Sequence, residues 1–193
     1  MALLIGSKKI KTAVFISGNG SNLKALIKFS KLKKSPISIN LIISNNTKSK
    51  GLYYGSIYKI KKRAFNFENK SLAEKKILRE LKKDKIDLIC LAGFMKILSK
   101  KFIKNFKGKI LNIHPSLLPK FKGLNTHERA IKNKEIYSGC TVHFVNSKLD
   151  SGKIILQKKV KIFKNETPKS LAKKILIQEH KLYPKAICKI FKL

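Results

Sequence analysis

The sequence predicts a single α/β domain, in which a mostly parallel twisted sheet is flanked by helices and ends in a C-terminal antiparallel hairpin. Three observations predict this class. The length of 193 residues suits one domain, and 43% of the residues are hydrophobic, too many for a disordered chain. Short apolar runs alternate with amphipathic segments, as in sheets covered by helices on both faces. Because no repeat or shift in composition divides the chain, the predicted domain covers residues 1–193.

The first elements are a strand, a turn, a helix and a second strand. The apolar run at residues 11–17 predicts a buried strand, and Gly18 and Gly20 predict a tight turn after it. Ser21 is the predicted N-cap of the helix that follows, because the helical apolar pattern starts two positions later. A second apolar run, at residues 37–44, predicts the next strand.

The middle of the chain adds two helices and three strands. A helix is predicted over residues 50–62, with a short strand near 64–67. A lysine-rich amphipathic helix ends near Asp84. Continuous apolar runs at residues 87–92 and 109–113 then predict the fourth and fifth strands.

The last third contains a loop, a hairpin and two helices. A proline-containing loop at residues 115–123 leads into a short helix at about 127–133. Alternation at residues 140–145 predicts a strand, and residues 154–163 predict its hairpin partner. A final helix is predicted over residues 168–191, because a proline at its first position favours a helix start.

The formal charge of +35 would ordinarily favour a nucleic-acid partner or an acidic membrane. All but three of the 45 basic residues are lysine, however, whereas a surface that binds phosphates and base edges usually holds more arginine. The lysines are spread along the whole chain, and lysine, isoleucine and asparagine share AT-rich codons. We therefore attribute the charge to genomic base composition and expect no specific nucleic-acid partner. A basic nucleic-acid-binding protein stays open as the non-enzymatic alternative.

Other features disfavour secreted, membrane and metal-binding proteins. No apolar stretch approaches the roughly 20 residues that a membrane span needs, and the chain begins with apolar residues before its lysines, the reverse of a signal peptide. Cys90, Cys140 and Cys188 lie far apart, without the spacing of a disulfide or metal site. We expect a cytoplasmic protein without a metal or a membrane partner, present as a monomer or a weak homodimer.

The loop after the first strand has the sequence SGNGSN, from Ser17 to Asn22. In a parallel sheet such a loop lies at the carboxyl ends of the strands, where ligands bind. Glycines let the backbone approach a ligand, and the free N–H groups of a helix start can bind phosphate. An ordinary tight turn explains the same residues, because glycine loops are common.

The end of the fifth strand carries Asn112 and His114, which strand alternation places on one face about 7 Å apart. An amide that can bond a carbonyl oxygen, beside an imidazole that can carry a proton, suits acyl-group chemistry. A polar strand end turned by Pro115 is the structural alternative.

Asp150, before Gly152, is one of only ten acidic residues, and a carboxylate near His114 would orient its ring and favour its imidazolium form. An aspartate that initiates a turn is the simpler explanation of Asp150 alone.

The other histidines are interpreted as structural. His127 lies at a predicted helix start, His143 within a strand, and His180 on the last helix beside Glu179. No HExxH or CxxC pattern indicates a metal site.

Taken together, these segments resemble the phosphoribosylglycinamide formyltransferases, the folate-dependent enzymes of purine synthesis. The matching stretches occur in the family's order and cover nearly the whole chain: AVFISGNGSNLKALI (13–27), LAGFMKILS (91–99), ILNIHPSLLPKFKGLNTH (110–127), GCTVHFVNSKLDSGKIILQ (139–157) and QEHKLYP (178–184). The resemblance implies a Rossmann-like formyltransferase fold. It places the phosphate-bearing substrate in about residues 11–100, and catalysis and folate binding in about residues 91–160.

The resemblance also implies roles for individual residues. Asn112, His114 and Asp150 match the catalytic trio, which stabilises the tetrahedral intermediate as the substrate amine takes the formyl group of the co-substrate 10-formyltetrahydrofolate. The phosphoribosylglycinamide site is matched by Gly20, Ser21, Asn22 and Glu179. The formyl-folate site is matched by Lys70, Met95, Lys96, Ile97, Leu98, Asn112, Asn146, Ser147, Lys148, Leu149 and Asp150.

Three positions depart from the family's usual pattern. Asn125 stands in place of a common histidine, Lys70 in place of a frequent arginine, and Ser147 in place of an acidic residue. A lysine offers a carboxylate a point charge rather than a two-pronged contact, so these changes bear on affinity rather than on the chemistry.

Two related enzymes are the alternatives. The 10-formyltetrahydrofolate deformylases pass the formyl group to water and typically carry a separate N-terminal domain. Methionyl-tRNA formyltransferases share the HPSLLP-type loop, but they carry an added C-terminal domain and lack the GNGSN loop. We expect neither, because only about ten residues precede the first strand and no further domain is predicted.

Overall fold

A computed structural model describes residues 9–192, which form seven strands and six α-helices. The strands are β1 (Ile10–Ile16), β2 (Ile37–Ser44), β3 (Lys61–Ala64), β4 (Leu88–Leu91), β5 (Lys109–His114), β6 (Tyr137–Phe144) and β7 (Ile154–Lys161). The helices are α1 (Ser21–Ser30), α2 (Tyr53–Ile57), α3 (Lys70–Lys83), α4 (Lys100–Asn105), α5 (Thr126–Lys132) and α6 (Pro168–Ile190). Residues 1–8 and Leu193 lie outside the described residues. The prediction that the N-terminus is not a signal peptide concerns this first segment, and the predicted domain, 1–193, includes both.

All seven strands belong to one sheet, in the order β3-β2-β1-β4-β5-β6-β7. Strands β1 to β5 pair in parallel, whereas β6 pairs antiparallel with both β5 and β7. The predicted α/β class is therefore confirmed, including the antiparallel hairpin near the C-terminus. None of the helices in residues 9–192 is long and apolar enough to cross a membrane.

The central strand β1 separates two apolar cores, because its side chains alternate between the faces of the sheet. Val14 and Ile16 pack with residues of α1 and α6 on one face. Ala13 and Phe15 pack with residues of α3 and α4 on the other. Both faces of β1 are fully buried from Thr12 to Ile16, which accounts for the apolar run from Ala13 to Ile16.

Two predicted elements had the wrong bounds, and one helix was not predicted. The helix predicted over residues 50–62 ends at Ile57, and the following strand occupies Lys61–Ala64 rather than 64–67, because its hydrogen bonds to β2 set its position. The apolar residues that suggested the later strand, Phe65 and Phe67, instead pack against the second core. Helix α4 was missed, because six residues with three lysines carry little periodicity; the Ser99 hydroxyl that caps it accepts from Phe102 N.

Candidate active site

One cavity of about 1170 Å³ opens at the carboxyl ends of β1, β4 and β5. Segments that are distant in the sequence line it: residues 17–22, 91–98, 112–115, 123–128 and 145–150. The carboxyl ends of parallel strands meet at one edge of the sheet, so the loops that follow them converge there. The first half of α6 closes another side of the cavity and contributes Glu179.

The glycine loop, residues 17–22, leads directly into α1. Gly20 is the N-cap residue, with φ +71, and a Cβ there would lie 2.9 Å from the Cα of Gly51, so only glycine fits. Ser21 is therefore the first helical residue rather than the predicted N-cap. The first N–H groups of a helix have no intrahelical partner, and here they lie at the cavity with no side-chain cap over them. This arrangement is suited to binding an anion.

Asn22 and Glu179 form a buried polar pair beside that helix start. The Asn22 side-chain N–H donates to the Glu179 carboxylate over 2.7 Å, and both residues are more than nine-tenths buried. Burial raises the pKa of Glu179 to about 7, against the opposing effect of the bond from Asn22. A carboxyl group that titrates near neutrality inside a ligand cavity can accept or release a proton there.

Asn112, His114 and Asp150 lie together at the end of β5. The Asp150 Oδ2 atom is 3.4 Å from His114 Nδ1, and Asp150 Oδ1 is 3.5 Å from Asn112 Nδ2. The side chains of His114 and Asp150 are only 7% and 8% exposed. The Gly123 N–H donates to Asp150 over 2.9 Å, which fixes the carboxylate from the opposite loop. The turn thus brings Asp150 to His114, which sequence spacing alone could not establish.

Both nitrogens of the His114 ring face hydrogen-bond acceptors. Nδ1 faces the Asp150 carboxylate, and Nε2 lies 2.9 Å from the Phe121 carbonyl oxygen. A doubly protonated imidazole satisfies both contacts, because each of its nitrogens then donates. The two contacts therefore fix the orientation of the His114 ring at the edge of the cavity.

His143 is part of this cluster, although sequence reasoning interpreted it only as structural. The antiparallel register places it directly opposite Asn112, with its Nε2 3.2 Å from the Asn112 side-chain nitrogen. Its Nδ1 lies 2.8 Å from the Phe144 carbonyl oxygen and donates to it, and burial lowers the His143 pKa. The neutral ring therefore accepts at Nε2 and fixes the orientation of the Asn112 amide. The pairing of the two strands was the signal that could have revealed this.

An apolar wall, residues 94–98, forms another side of the cavity. The large apolar side chains of Met95 and Ile97 are exposed, as is that of Leu149 across the opening. Exposed apolar residues around a cavity mark a place for a flat hydrophobic ligand. The other residues of the predicted folate site that line the cavity are Lys96, Leu98, Asn146, Ser147 and Lys148.

Lys70 is the one residue of the predicted folate site that does not line the cavity. It begins α3 and is exposed. Phe67, three positions before Lys70, packs edge-to-face on Phe94 of the apolar wall, at 5.6 Å between ring centroids. This contact brings the start of α3 next to the wall, but a role for Lys70 stays a prediction.

Asn125 and His127 lie where the cavity meets α5. Asn125 is the N-cap residue of that helix and adopts a left-handed conformation, with φ 55. His127 lines the cavity, and burial lowers its pKa. Within residues 9–192, no group of three or more His, Cys, Asp or Glu side chains is arranged to hold a metal ion.

Comparisons with known proteins agree with this geometry. The family model described as "Formyl transferase" matches residues 10–187. The chain is 43% identical over 183 residues to the human trifunctional purine biosynthetic protein adenosine-3, covering 93% of this chain but 18% of that protein. It is also 43% identical over 180 residues to the phosphoribosylglycinamide formyltransferase of Haemophilus influenzae, covering 92% of this chain and 85% of that protein.

Solved structures show the same likeness. The crystal structure of phosphoribosylglycinamide formyltransferase from Brucella melitensis superposes with a TM-score of 0.89 at 41% identity, covering 95% of this chain and 96% of that one. The corresponding structure from Anaplasma phagocytophilum has a TM-score of 0.88 at 44% identity, covering 93% and 85%. The chain thus spans nearly the whole of these single-function relatives, and about a fifth of the trifunctional ones.

Proposed function

The chain belongs to the formyl transferase family, and from this premise we propose that it transfers the formyl group of 10-formyltetrahydrofolate to the amine of 5-phosphoribosylglycinamide in purine biosynthesis. The family membership confirms the resemblance seen in the sequence. The observation that carries the proposal is that one cavity holds both the open N-terminus of α1 and the cluster of Asn112, His114 and Asp150. The first feature suits a phosphate, and the second suits an acyl centre.

The two substrates would approach the cluster from opposite sides. The phosphate would bind at the first N–H groups of α1, around Gly20, Ser21 and Asn22. Glu179 lies beside Asn22, where its carboxylate can accept from the glycinamide end of the substrate. The folate ring system would lie between the apolar wall and residues 145–150, with its formyl group directed at Asn112 and His114. These roles keep the assignment expected from the sequence, with the phosphate-bearing substrate in about residues 11–100 and catalysis and folate binding in about 91–160. They add Glu179, which lies outside both ranges.

Formyl transfer would begin with attack of the neutral substrate amine on the formyl carbon. Negative charge then develops on the formyl oxygen. The His114 Nε2–H stabilises it, together with the Asn112 N–H that in the free protein makes the long 3.5 Å contact to Asp150. The formyl oxygen would take the place of the Phe121 carbonyl oxygen, which accepts from His114 Nε2 in the free protein. Asp150 holds the imidazolium form of His114 through Nδ1.

Collapse of the tetrahedral intermediate breaks the bond between the formyl carbon and N10 of the folate. The attacking amine loses a proton and the departing N10 gains one, so the products are formylglycinamide ribonucleotide and tetrahydrofolate. Asp150 would accept and return that proton through a water, because it lines the cavity beside His114. The folate acts as a co-substrate, and no step requires a metal ion.

Partners beyond these small molecules remain predictions. The charge of +35 is proposed to reflect base composition rather than a nucleic-acid interface, and cytoplasmic location and monomeric or weakly dimeric state are proposed with it. Tight binding of random DNA that weakens steeply with salt would refute the first of these proposals.

The direct test follows tetrahydrofolate formation from 10-formyltetrahydrofolate with and without 5-phosphoribosylglycinamide. Turnover that depends on the amine supports the transferase, and the variant His114→Asn, purified in parallel, should lack it. Equal turnover without the amine would make water the acceptor, as in the deformylases. Absence of turnover in both reactions would refute the proposal and direct attention to nucleic-acid binding over a salt series.

A further inference from the structure

Ser17 ties together the ends of three neighbouring strands. It follows β1 directly, and its hydroxyl oxygen accepts from the Met95 backbone N–H over 2.7 Å. An amide nitrogen can only donate, so the hydroxyl proton is directed to its other partner, Asn45 Oδ1, at the end of β2. The Ser17 N–H donates to the Gly93 carbonyl over 3.0 Å, at the end of β4.

These bonds join the first residue of the glycine loop to the start of the apolar wall. The backbone of residues 93–95 receives one bond from the Ser17 amide and gives one to the Ser17 hydroxyl. The far end of the wall is held separately, because Ser99 N donates to the buried Glu74 carboxylate over 2.7 Å. Among the hydrogen bonds within residues 9–192, those that link the wall directly to the glycine loop are therefore at its Met95 end.

The second residue of the glycine loop has an anchor of its own. The Gly18 carbonyl oxygen accepts from the Ser49 hydroxyl over 2.7 Å and from the Gly51 N–H over 3.0 Å. Both donors belong to the connection between β2 and α2. This anchor supports the loop without touching the apolar wall, and Ser49 therefore provides a control for Ser17.

We infer that Ser17 is a positioning residue that couples the glycine loop to the apolar wall, so that binding of the phosphate-bearing substrate strengthens binding of the folate. This inference rests on the function proposed above, since it assigns one substrate to each segment. A phosphate on the first turn of α1 restricts the glycine loop, and the bond between the Ser17 hydroxyl and the Met95 N–H then restricts the backbone of Met95. Folate binding then loses less conformational entropy, because the backbone that it contacts is already partly ordered. By thermodynamic linkage, the folate must strengthen binding of the phosphate-bearing substrate by the same factor.

The size of the coupling follows from the bonds that carry it. The Ser17→Ala variant removes the hydroxyl contacts to Met95 and Asn45 but keeps the amide bond to Gly93. A single net hydrogen bond corresponds to a change of about three- to tenfold in an equilibrium constant. We expect saturating 5-phosphoribosylglycinamide to tighten tetrahydrofolate binding by about that factor in the wild type, and to have almost no effect in Ser17→Ala.

Calorimetric titration of tetrahydrofolate, with and without 5-phosphoribosylglycinamide, measures this coupling without requiring turnover. Ser17→Thr restores a hydroxyl and should restore the coupling. Ser49→Ala should weaken binding of the phosphate-bearing substrate but leave the coupling at its wild-type value. If the thermal melting curve shows that Ser17→Ala does not fold, Asn45→Ala is the second variant. It removes the acceptor that orients the Ser17 hydroxyl and is expected to reduce the coupling.

Coupling that persists in Ser17→Ala, that disappears equally in Ser49→Ala, or that is absent from the wild type would overturn the inference. A wild-type chain that shows the coupling but transfers no formyl group would refute the proposed function and leave the inference standing. A chain that binds neither ligand would refute both.

Discussion

Replacing Asp150 by asparagine tests the charge that the proposed mechanism depends on, with little disturbance of the fold. Asp150 has φ 44, a left-handed conformation that asparagine also tolerates well. An asparagine side-chain oxygen can still accept from the Gly123 N–H, so the loop contact survives. The substitution therefore removes the negative charge beside His114 while leaving shape and backbone in place.

The geometry sets the size of the expected loss. Opposite unit charges separated by the observed 3.4 Å between Asp150 Oδ2 and His114 Nδ1 attract by about 5 kcal/mol at an effective dielectric constant of about 20. A neutral acceptor at the same position recovers part of this, which leaves about 3–4 kcal/mol of transition-state stabilisation. We expect kcat to fall by about 100- to 1000-fold, with a smaller change in KM for either substrate.

Steady-state formation of tetrahydrofolate measures kcat and both KM values for the wild type and for Asp150→Asn. Asp87→Asn is the matched control, because Asp87 is exposed and lies outside the cavity. A folded Asp150→Asn variant with kcat within tenfold of the wild type would refute the role assigned to this ion pair.

Three further predictions concern other groups of the cavity and the net charge. Because the folded protein holds the Glu179 proton more tightly than the unfolded chain, stability is lost as the pH rises from 4.5 to about 7. In urea titrations between pH 4.5 and 8, the free energy of unfolding of Glu179→Gln should therefore rise relative to that of the wild type by up to about 3 kcal/mol. An equal pH dependence of the two free energies would contradict this. His143→Leu frees the Asn112 amide and should lower kcat by about 10- to 100-fold with unchanged KM values, and a kcat within twofold of the wild type would reject that role. If the charge of +35 steers the anionic substrates, kcat/KM should fall as salt is raised to about 0.15 M while kcat holds; a flat profile would dismiss steering.

The order of strands and helices could be predicted because buried parallel strands have distinctive apolar runs. The strand at residues 37–44 was predicted with the bounds that the structure has. Strand β3 was misplaced, because four residues at a sheet edge with the sequence KKRA carry no apolar signal and are strands only through their hydrogen bonds to β2. Local sequence cannot supply a pairing partner.

The candidate site was predictable where a residue lies at a strand end or a helix start, as Asn112, His114 and the glycine loop do. The contribution of His143 was not predicted, since it depends on which residue of β6 faces Asn112 across the antiparallel pair. The same holds for Ser17, whose partners lie 28 and 78 positions away in the sequence. Residues whose role depends on register or on distant partners are visible only in the folded chain.

The acidic residues carry more information in this chain than the basic ones do. With 45 basic residues against ten acidic ones, a lysine at an exposed position says little, because base composition alone can place it there. Seven of the ten carboxylates have a described hydrogen-bond or ion-pair partner: Glu74, Glu80, Asp84, Glu135, Asp150, Glu166 and Glu179. A carboxylate that persists against such a composition is therefore expected to have a specific contact, and two of these seven, Asp150 and Glu179, line the cavity. In a chain of this composition, the acidic residues therefore indicate the candidate site better than the basic residues do.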